Sequence, residues 1–429
     1  MLSLNPKSKV LLATTITVAS LAVLMLLRID GFTASLFWIY SVLMTSFLII
    51  VSMLTVSYRP IPDRGYRPGV SVIVPAKNEE KGIADTVNAL LQSDYPEDKL
   101  EIIVVNDGST DKTADAVRAI NSPRIKLLDF EKNRGKRAAF ASGFYESKNE
   151  IVICVDSDTL LDTQAIKLVV QPFEDKEVVS VCGHGKASNI NKNLLTKLQH
   201  FWYQDMFRLL KGMESQLGAV SCCSGILAGY RRESIEPLMN SWLNEKFLGR
   251  PIYIGDDRQL TNLVLWKGLG EVKDGTRNAK VIYQSNAIAY TLVPETYKHF
   301  FKQQLMWSRS WIHGSILASR FIWKKKMPVP LLFFVYQFLT VICPFAIVSS
   351  LIITPLTGNI LSAVWFLLGT LYIGLLQGMN LWSFGYDFRA LLYRTLFVFV
   401  SFFMSITVLL YAWITPWKGG WVTRCDKKK

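Results

Sequence analysis

The sequence predicts an α/β domain inserted between transmembrane helices, and three observations support this. Apolar stretches of membrane-spanning length lie near both ends of the 429-residue chain. Between them, short β-branched runs alternate with amphipathic stretches, which is typical of buried parallel strands joined by helices. Half of the residues are hydrophobic, yet the formal charge is +14. That combination favours a membrane enzyme with a basic cytoplasmic side over a soluble globule.

The first 60 residues are predicted to form a transmembrane hairpin. Apolar runs at 10–27 and 36–56 are each long enough for a span of roughly 20 residues. Lysines precede the first run and arginines follow the second, so the positive-inside bias places the N-terminus and the next domain in the cytoplasm. The alternative for the first run is a signal peptide, but no small-residue cleavage site follows it.

Residues 61–294 are predicted to form a cytoplasmic, doubly wound α/β domain. Strands are expected at 70–76, 101–107, 124–130 and 151–158, and helices at 79–92 and 110–120. In such sheets, ligands bind at the carboxyl ends of the strands. Asn78, Asp107 and the segment from Asp156 to Asp158 all fall there.

The remaining chain is predicted to return to the membrane. Residues 295–327 are rich in Trp and Lys and are expected to form amphipathic interface helices. Residues 328–416 contain three apolar stretches, and residues 417–429 form a basic tail that we expect in the cytoplasm. Two plus three crossings would place that tail on the far side, so the last stretch is either a crossing, a re-entrant hairpin or a broken helix lining a cavity.

Carboxylates at the predicted strand ends indicate metal and nucleotide binding. In VDSDT, Asp156 and Asp158 alternate across an expected extended segment and can reach a divalent cation that bridges two phosphates. In NDGS, Asp107 can accept hydrogen bonds from a uracil or ribose, and PAKNE offers a matching loop on the neighbouring strand. The alternatives are a solvated acidic strand end for the first motif and a simple capped turn for the second.

The GDDR motif supplies a candidate general base. Asp257 could take the proton from an acceptor hydroxyl as that hydroxyl attacks an anomeric carbon, which would make an inverting displacement the simplest mechanism. The alternative for Asp256 is a structural ion pair with Arg258. The six cysteines contain no CxxC pair and the four histidines lie far apart, so neither a zinc site nor a disulfide framework is expected.

Three further motifs are less specific taken singly. NRGKRAAF places Lys136 and Arg137 at a helix start, where they could face phosphate or simply form a basic surface. The run beginning CCSG allows close backbone approach, and its cysteines are expected to be buried lining residues, not nucleophiles. QQLMW offers amides and an indole that suit a sugar face, with an interfacial Trp anchor as the alternative.

Taken together, the motifs carry a family resemblance. PAKNE, NDGS, GKR, DSD, CCSG, FLGRPIYIGDDRQLTN, QQLMWSRS and GGWVTR follow one another in this order between membrane segments. They resemble the processive family 2 glycosyltransferases, and most closely the hyaluronan synthases, over nearly the whole chain. Chitin synthases and nodulation-type chitooligosaccharide synthases are the relatives to exclude. These usually have Glu-Asp-Arg where this chain has Asp256-Asp257-Arg258.

The resemblance implies a GT-A-type nucleotide-sugar-binding domain and a synthase that adds N-acetylglucosamine and glucuronic acid alternately. The implied partners are UDP-GlcNAc, UDP-GlcA, the growing polysaccharide and the lipids of the plasma membrane, but no nucleic acid. The polymer would leave through the membrane helices of the protein itself. A non-processive transferase acting on a lipid carrier would share NDGS and DSD but would not need QQLMW or GGWVTR. A catalytically idle membrane scaffold is a third alternative.

The resemblance also assigns residues to roles. Asp257 would be the general base, and Asp158, with Asp156, would hold Mg2+ or Mn2+. The nucleotide and its diphosphate would contact Ala76, Asn78, Glu79, Asp107, Lys136 and Asp156. The acceptor or priming loop would comprise Cys222, Cys223, Ser224 and Gly225. The acceptor site at the channel entrance would include Gln303, Gln304, Trp307 and Arg309. A terminal element that closes over the nucleotide would contain Trp421, Thr423 and Arg424.

One residue departs from the family pattern. Met306 stands where the QxxRW pattern of the family has arginine. Methionine carries no charge and donates no hydrogen bond, so the phosphate contact expected at this position is absent. Another cation must supply that contact, or turnover is weakened.

We predict that Met306→Arg preserves or raises polymer synthesis, because it restores the cation that the family pattern has at this position. The measurement is the rate of labelled-sugar incorporation by the purified variant and by the parent protein. A large loss of activity would show that this site is built differently from the family pattern.

Overall fold

The structure is a computed structural model that describes residues 32–267 and 279–418, with side chains from residue 39 onward. The predicted span at 10–27 and the terminal residues Trp421, Thr423 and Arg424 lie outside the described residues. The described chain begins with helix α1, Phe32–Val56, which coincides with the second predicted span. An α/β domain follows, and after it come four long helices.

The α/β domain is built on one mixed sheet of eight strands. Its strands are β1 Val70–Ala76, β2 Leu100–Asn106, β3 Ile125–Asp129, β4 Ile151–Cys154, β5 Thr159–Leu161, β6 Val178–Ala187, β7 Ala228–Arg231 and β10 Lys280–Thr291, in the spatial order β3-β2-β1-β4-β7-β6-β10-β5. The first four strands run parallel, as predicted. Strand β7 is antiparallel to both of its neighbours, and β5 is antiparallel to β10. The sheet is therefore mixed, and only its first half follows the doubly wound pattern.

Helices pack on both faces of this sheet. The helices of the domain are α2 Ile83–Leu91, α3 Thr113–Arg118, α4 Lys136–Glu146, α5 Ala165–Val169, α6 Leu194–Asp205, α7 Gly212–Gln216, α8 Arg232–Ile235, α9 Met239–Leu243 and α10 Asp256–Lys267. A π-helical turn, Met206–Lys211, joins α6 to α7, and a two-stranded hairpin, β8 Lys246–Phe247 with β9 Arg250–Pro251, precedes α10. Alternate residues of β1 point to opposite faces, so Ile73 belongs to one core and Val72 and Val74 belong to the other.

Two strand predictions need correction. Strand β3 was expected to be buried, but it lies at the edge of the sheet and its residues are half-exposed or exposed. The strand expected at 151–158 ends at Cys154. The backbone then turns, because the N–H of Thr159 donates to the carbonyl of Asp156. Asp156 and Asp158 therefore lie on a turn after β4 and do not alternate along a strand.

Four helices in the described part of the chain are long and apolar enough to cross a membrane: residues 39–56 of α1, α12 Val329–Leu356, α13 Leu361–Ser383 and α14 Arg389–Ile414. Helix α11, Tyr297–Ser319, lies between the domain and α12. The RFIWKKK segment was expected to be a separate interface helix. It forms only the short 3-10 turn Ile322–Lys324, and Phe321 is fully buried in the core of the domain.

Helix α14 lies beside α11 and runs parallel to it. Phe397 packs on Phe300 near the start of both helices, and Arg309 donates to the Thr415 hydroxyl, 2.8 Å away, near the end of α14. Helix α11 itself contacts the α/β domain at both ends, through Phe300 and through the segment leading to Phe321. The last apolar stretch therefore has both of its ends on the domain side, which bears on the crossing question that the sequence leaves open.

A buried ion pair fixes the start of α14 to the domain. Arg394 Nη2 lies 2.9 Å from Asp205 Oδ2, and the two side chains are 6% and 5% exposed. Removing one partner of such a pair leaves an uncompensated buried charge, which costs about 3–5 kcal/mol in proteins.

We therefore expect Arg394→Met to lower the midpoint of thermal unfolding in detergent by several degrees. The double variant Asp205→Leu/Arg394→Met should recover most of this loss, because it leaves no buried charge. The measurement is thermal unfolding of the purified variants. A double variant that is less stable than Arg394→Met would contradict this interpretation.

Candidate active site

Two loops at the ends of β1 and β2 are locked together. The N–H of Asn78 donates to the Ser109 hydroxyl, 2.9 Å away, and Asn78 Oδ1 accepts from the N–H of Thr110 at 2.8 Å. Asn78 adopts a left-handed backbone conformation, with φ of 54°, which asparagine tolerates better than most residues. Glu79 joins the same loops, because its N–H donates to the Thr113 hydroxyl at 2.8 Å. PAKNE and NDGS therefore form one surface, as the sequence predicts.

Ala76 and Asp107 lie beneath that surface and not on it. The side chain of Ala76 is fully buried, and its carbonyl accepts from the N–H of Asp107. The Asp107 carboxylate is also fully buried and accepts from the N–H groups of Arg134 and Gly135, at 2.6 and 2.9 Å. Asp107 thus holds the loop that leads into α4. The predicted contact with uridine would require this carboxylate to leave those amides.

Helix α4 brings a lysine to the metal-motif carboxylate. Lys136, the first residue of α4, donates to Asp156 Oδ1 at 2.5 Å. Burial by itself would lower the pKa of Lys136, but the facing carboxylate of Asp156 outweighs it and raises the pKa above the ordinary lysine value. Lys136 is therefore a fixed positive charge beside Asp156, in the position expected for a phosphate-binding group.

The CCSG loop contacts both the DSD motif and Asp257. The carbonyl of Gly225 accepts from the N–H of Asp156 at 2.9 Å, and the N–H of Gly225 donates to Asp257 Oδ2 at 3.3 Å. A Cβ atom on Gly225 would lie 2.9 Å from Asp156 Oδ1 and 3.2 Å from Lys136 Nζ. Cys222 Sγ is 3.6 Å from Asp257 Oδ2. These contacts bring the predicted metal motif, priming loop and base together.

The two cysteines of this loop differ in burial: Cys223 is buried, as predicted, and Cys222 is half-buried. Burial raises the pKa of the Cys222 thiol to about 12, which disfavours a thiolate nucleophile. Cys223 is fully buried, and its N–H donates to the Thr261 hydroxyl at 3.0 Å.

Lys211 anchors the CCSG loop through hydrogen bonds, and the sequence analysis did not predict this contact. Its ammonium donates to the carbonyl of Cys222 at 2.9 Å and to the Ser224 hydroxyl at 2.7 Å. It lies in the π-helical turn after α6, eleven residues before Cys222, and no motif signals the contact.

The two aspartates of GDDR have different partners. Asp257 borders a pocket of about 330 Å³, together with Lys136, Gly225 and Trp242. Asp256 Oδ1 accepts from Arg137 Nε at 2.7 Å. The alternative pairing of Asp256 with Arg258 is therefore wrong. Arg137 was expected to face phosphate, but its side chain is buried against Asp256 and against Glu245, 3.2 Å away.

Helix α11 carries the QQLMW residues. Gln303 and Trp307 are four residues apart, so they share one face of the helix. The ring of Trp307 is 37% exposed and lies 5.9 and 6.0 Å from the rings of Tyr203 and Trp202. Trp307 therefore belongs to an aromatic cluster of the domain and is more than an isolated membrane anchor. Gln303 Oε1 and Gln304 Nε2 are buried, and neither has a hydrogen-bond partner among the described residues.

Arg309 has a structural partner. Its guanidinium donates to the Thr415 hydroxyl and lies 5.9 Å from the ring of Tyr411. It thus ties α11 to the end of α14, and the predicted substrate contact would have to use its remaining donors.

The carboxylates after β4 suit a hard divalent cation. Mg2+ and Mn2+ prefer oxygen ligands, and Mg2+ is commonly held by one or two carboxylates plus substrate phosphates. Asp156 and Asp158 supply such oxygens on one turn, and Lys136 adds a phosphate-binding charge beside them. Within the residues that the structure describes, no group of three or more His, Cys, Asp or Glu side chains could hold a metal alone. The donor set therefore fits a cation that shares its coordination with a nucleotide diphosphate.

The mixed sheet, the carboxylates after its strands and the Asp256-Asp257 pair at the start of α10 are typical of a nucleotide-sugar-dependent glycosyltransferase. Residues 71–239 match the domain described as glycosyl transferase family 2. The hyaluronan synthase of Streptococcus pyogenes is 32% identical over 310 residues, which cover 70% of each chain. The chain therefore belongs to glycosyl transferase family 2, and it is a homologue of the hyaluronan synthases.

Two other similarities are informative. An N-acetylglucosaminyltransferase of Rhizobium meliloti is 35% identical over 255 residues, which cover 58% of this chain and 57% of that protein. The mannosyltransferase PcManGT from Pyrobaculum calidifontis, solved in complex with GDP-Man and Mn2+, has a similar fold. It superposes with a TM-score of 0.61 at 22% identity, over 85% of this chain and 98% of that one. The predicted α/β fold with flanking membrane helices is thus confirmed.

We predict that Gly225→Ala lowers transferase activity by about tenfold or more, because the added methyl would displace Asp156 or Lys136 and small misplacements of reacting groups are costly. The measurement is the rate of UDP release by the purified variant. Gly82→Ala is the matched control, since its Cβ would have its nearest contact at an ordinary 4.0 Å. Equal activity of the two variants would mean that the loop yields without disturbing the site.

Proposed function

We propose that the protein is a membrane-embedded, processive, inverting glycosyltransferase of the hyaluronan synthase type. It would polymerise N-acetylglucosamine and glucuronic acid from UDP-GlcNAc and UDP-GlcA and pass the product out through its own membrane helices. The observation that carries the proposal is the convergence on Gly225 of the metal-motif residue Asp156 and the candidate base Asp257, in a chain homologous to hyaluronan synthases.

The geometry supports a direct displacement. Asp257 Oδ2 accepts from the Gly225 N–H and Oδ1 accepts from the Arg258 N–H, so the carboxylate is oriented by the backbone. It would take the proton of the acceptor hydroxyl as that oxygen attacks the anomeric carbon. Asp256 is occupied by Arg137, so Asp257 is the only carboxylate of the motif available for this proton transfer. A single displacement with one general base and no covalent intermediate inverts the configuration at the anomeric carbon.

The donor would be held on the other side of Gly225. Lys136 would bind the diphosphate, and Asp156 and Asp158 would hold the Mg2+ or Mn2+ ion, which neutralises charge on the departing UDP. The surface built by Asn78 and Ser109 lies at the carboxyl ends of the neighbouring strands and would receive the nucleoside. On the acceptor side, Trp307 offers a half-exposed ring for stacking against a sugar face.

The helix arrangement supports a cytoplasmic domain and tail. Helices α12 and α13 form a hairpin that leads back to the domain, because Tyr386, after α13, donates to Gln204 of α6. Helix α14 then lies beside α11, although its apolar composition also suits a crossing. With the hairpin predicted for the first 60 residues, four crossings result. The basic tail then lies on the same side as the domain, where its Trp421, Thr423 and Arg424 could close over the nucleotide.

A second candidate is a chitin or chitooligosaccharide synthase that uses UDP-GlcNAc alone. The similarity to an N-acetylglucosaminyltransferase at 35% identity favours it, although over a shorter stretch. A non-processive transferase acting on a lipid carrier would not require the aromatic acceptor face around Trp307.

The deciding experiment supplies purified protein in nanodiscs with Mn2+ or Mg2+ and with UDP-GlcNAc, UDP-GlcA or both. We expect high-molecular-weight, hyaluronidase-sensitive polymer only with both donors. We also expect Asp257→Asn to reduce the rate by about a hundredfold or more, since the base is lost. Asp115→Asn, an exposed position on α3, is the matched control.

Other products of this experiment would change the assignment. Polymer or oligomers from UDP-GlcNAc alone would establish the chitin-type enzyme. No product in any condition would favour a different donor or a lipid-carrier acceptor.

A further inference from the structure

Arg137 lies between the two helices that carry the candidate phosphate-binding lysine and the candidate base. It follows Lys136 in the first turn of α4. Its Nε donates to Asp256 Oδ1 at 2.7 Å, and Asp256 precedes Asp257 at the start of α10. The Arg137 side chain is 8% exposed, so protein groups enclose it. One buried guanidinium is therefore adjacent in sequence to the phosphate-side cation and is bonded to the neighbour of the base.

The start of α4 is attached to the end of the sheet. Asp107 directly follows β2, and its buried carboxylate accepts from the N–H groups of Arg134 and Gly135. These two residues are the last before α4 begins. The sheet thus sets the position of the backbone from which Arg137 extends, and Arg137 can act as a fixed reference for the segments that it contacts.

The start of α10 depends more on side-chain contacts. The hairpin β8–β9 that precedes it is half-exposed or exposed, so it gives the first turn of α10 little support. Asp256 is held instead on two sides. Arg137 binds its carboxylate, and the indole N–H of Trp242 donates to its carbonyl at 3.2 Å. These two contacts restrain the backbone immediately before Asp257.

The guanidinium is itself held in one orientation. Its Nη1 donates to the carbonyl of Trp242 at 2.7 Å and lies 3.2 Å from Glu245 Oε2, while its Nε is bonded to Asp256. A planar guanidinium whose donors meet three acceptors in different directions has little freedom to rotate, and a lysine ammonium could not match the same directions. Arg137 thus constrains where the first turn of α10 lies as well as neutralising carboxylates.

We propose that Arg137 is a positioning residue for the general base. Through Asp256 it sets the place of the Asp257 carboxylate relative to Lys136, without contacting the substrate. The inference rests on the proposed function and deepens it, because it requires Asp257 to be the base. Placement of a reacting group matters at this scale, since a misplacement of about 1 Å can cost about a hundredfold in rate.

The test separates turnover from donor binding in the purified full chain in nanodiscs. Turnover is the rate of UDP release at saturating donor, and binding is the Kd for UDP with Mn2+. We expect Asp256→Asn to lower turnover by about tenfold or more, because the contact beside the base loses its charge. The Kd for UDP should stay within about threefold of the parent value, because Lys136 and Asp156 are unchanged.

Glu245→Gln is the matched control. It removes a carboxylate from the same guanidinium, but Glu245 lies before the β8–β9 hairpin and not beside the base. Both variants weaken an ion pair of Arg137, so both should lower the midpoint of thermal unfolding. We expect Glu245→Gln to keep turnover within about threefold of the parent protein, a difference of less than one tenfold step.

Two conservative variants test the geometry. Asp256→Glu retains the carboxylate, in the form that is usual in the chitin synthase motif, and should recover most of the turnover that Asp256→Asn loses. Arg137→Lys retains the charge without the planar fork, so it should lower turnover. If Arg137→Lys folds poorly, the Asp256 and Glu245 variants alone still decide the test.

Three outcomes would overturn the inference. The first is parental turnover in Asp256→Asn. The second is an equal loss in Asp256→Asn and Glu245→Gln, which would reduce Arg137 to a structural role. The third is a loss of UDP affinity as large as the loss of turnover. Because Arg137 Nη2 is buried without a partner among the described residues, that result would assign this nitrogen to the donor.

Failure of the proposed function would look different. If Asp257→Asn keeps the turnover of the parent protein, the base assignment fails and this inference fails with it. If the parent protein polymerises UDP-GlcNAc alone, the proposed pair of donors is wrong. The variants then test the positioning role on that reaction, with the same expected differences between Asp256→Asn and Glu245→Gln.

Discussion

The candidate active site depends on one close backbone contact, the approach of Gly225 to the turn after β4 and to the start of α10. The same glycine accepts a hydrogen bond from Asp156 and donates one to Asp257. Its missing side chain leaves room for both the Asp156 carboxylate and the Lys136 ammonium. Because Gly225 hydrogen-bonds to both segments, the Lys136–Asp156 pair and Asp257 keep a fixed separation. Lys211 in turn holds the loop, which explains why a buried lysine sits under a run of small residues.

Directional polar contacts fix the membrane helices relative to this site. Tyr386, between α13 and α14, donates to Gln204, which also bonds to His184 Nε2 at 2.8 Å, and His184 Nδ1 meets the Tyr283 hydroxyl at 2.5 Å. Apolar contact alone would fix this arrangement poorly, since lipid is as apolar as the helix surfaces. A buried polar chain is satisfied only in one arrangement. The chain thus fixes the membrane hairpin relative to the sheet that carries the site.

A feature of this structure can be predicted from the sequence when neighbouring residues determine it, and not when it depends on contacts between distant segments. Strands β1 and β2 are predicted to within one residue, because uninterrupted Val and Ile runs end at polar motifs. The antiparallel half of the sheet is not predicted, since its pairing joins distant segments such as β7 and β4. The hydrogen-bond partners of Asp107 and Arg137 are not predicted for the same reason, because they lie about 27 and 119 residues away. The packing of α14 on α11 also escapes prediction, since an apolar stretch looks alike whether it crosses a membrane or covers a helix.

The three consecutive charges of the GDDR motif show how one helical turn can serve three purposes. Successive residues of a helix point about 100° apart, so Asp256 meets Arg137, Asp257 borders the pocket that Lys136 also lines, and Arg258 borders a separate cavity between the domain and helices α1, α11 and α12. The Asp256 carboxylate is occupied by the Arg137 guanidinium, whereas Asp257 borders the pocket, which is why the base role is proposed for Asp257. The Asp-for-Glu difference that separates this motif from the usual chitin synthase form falls on Asp256. That residue is held in an ion pair, so the difference concerns the pairing with Arg137 more than the choice of donor. Because the usual chitin synthase form also has Asp and Arg at the next two positions, this helical turn by itself does not distinguish an acidic sugar from a neutral one.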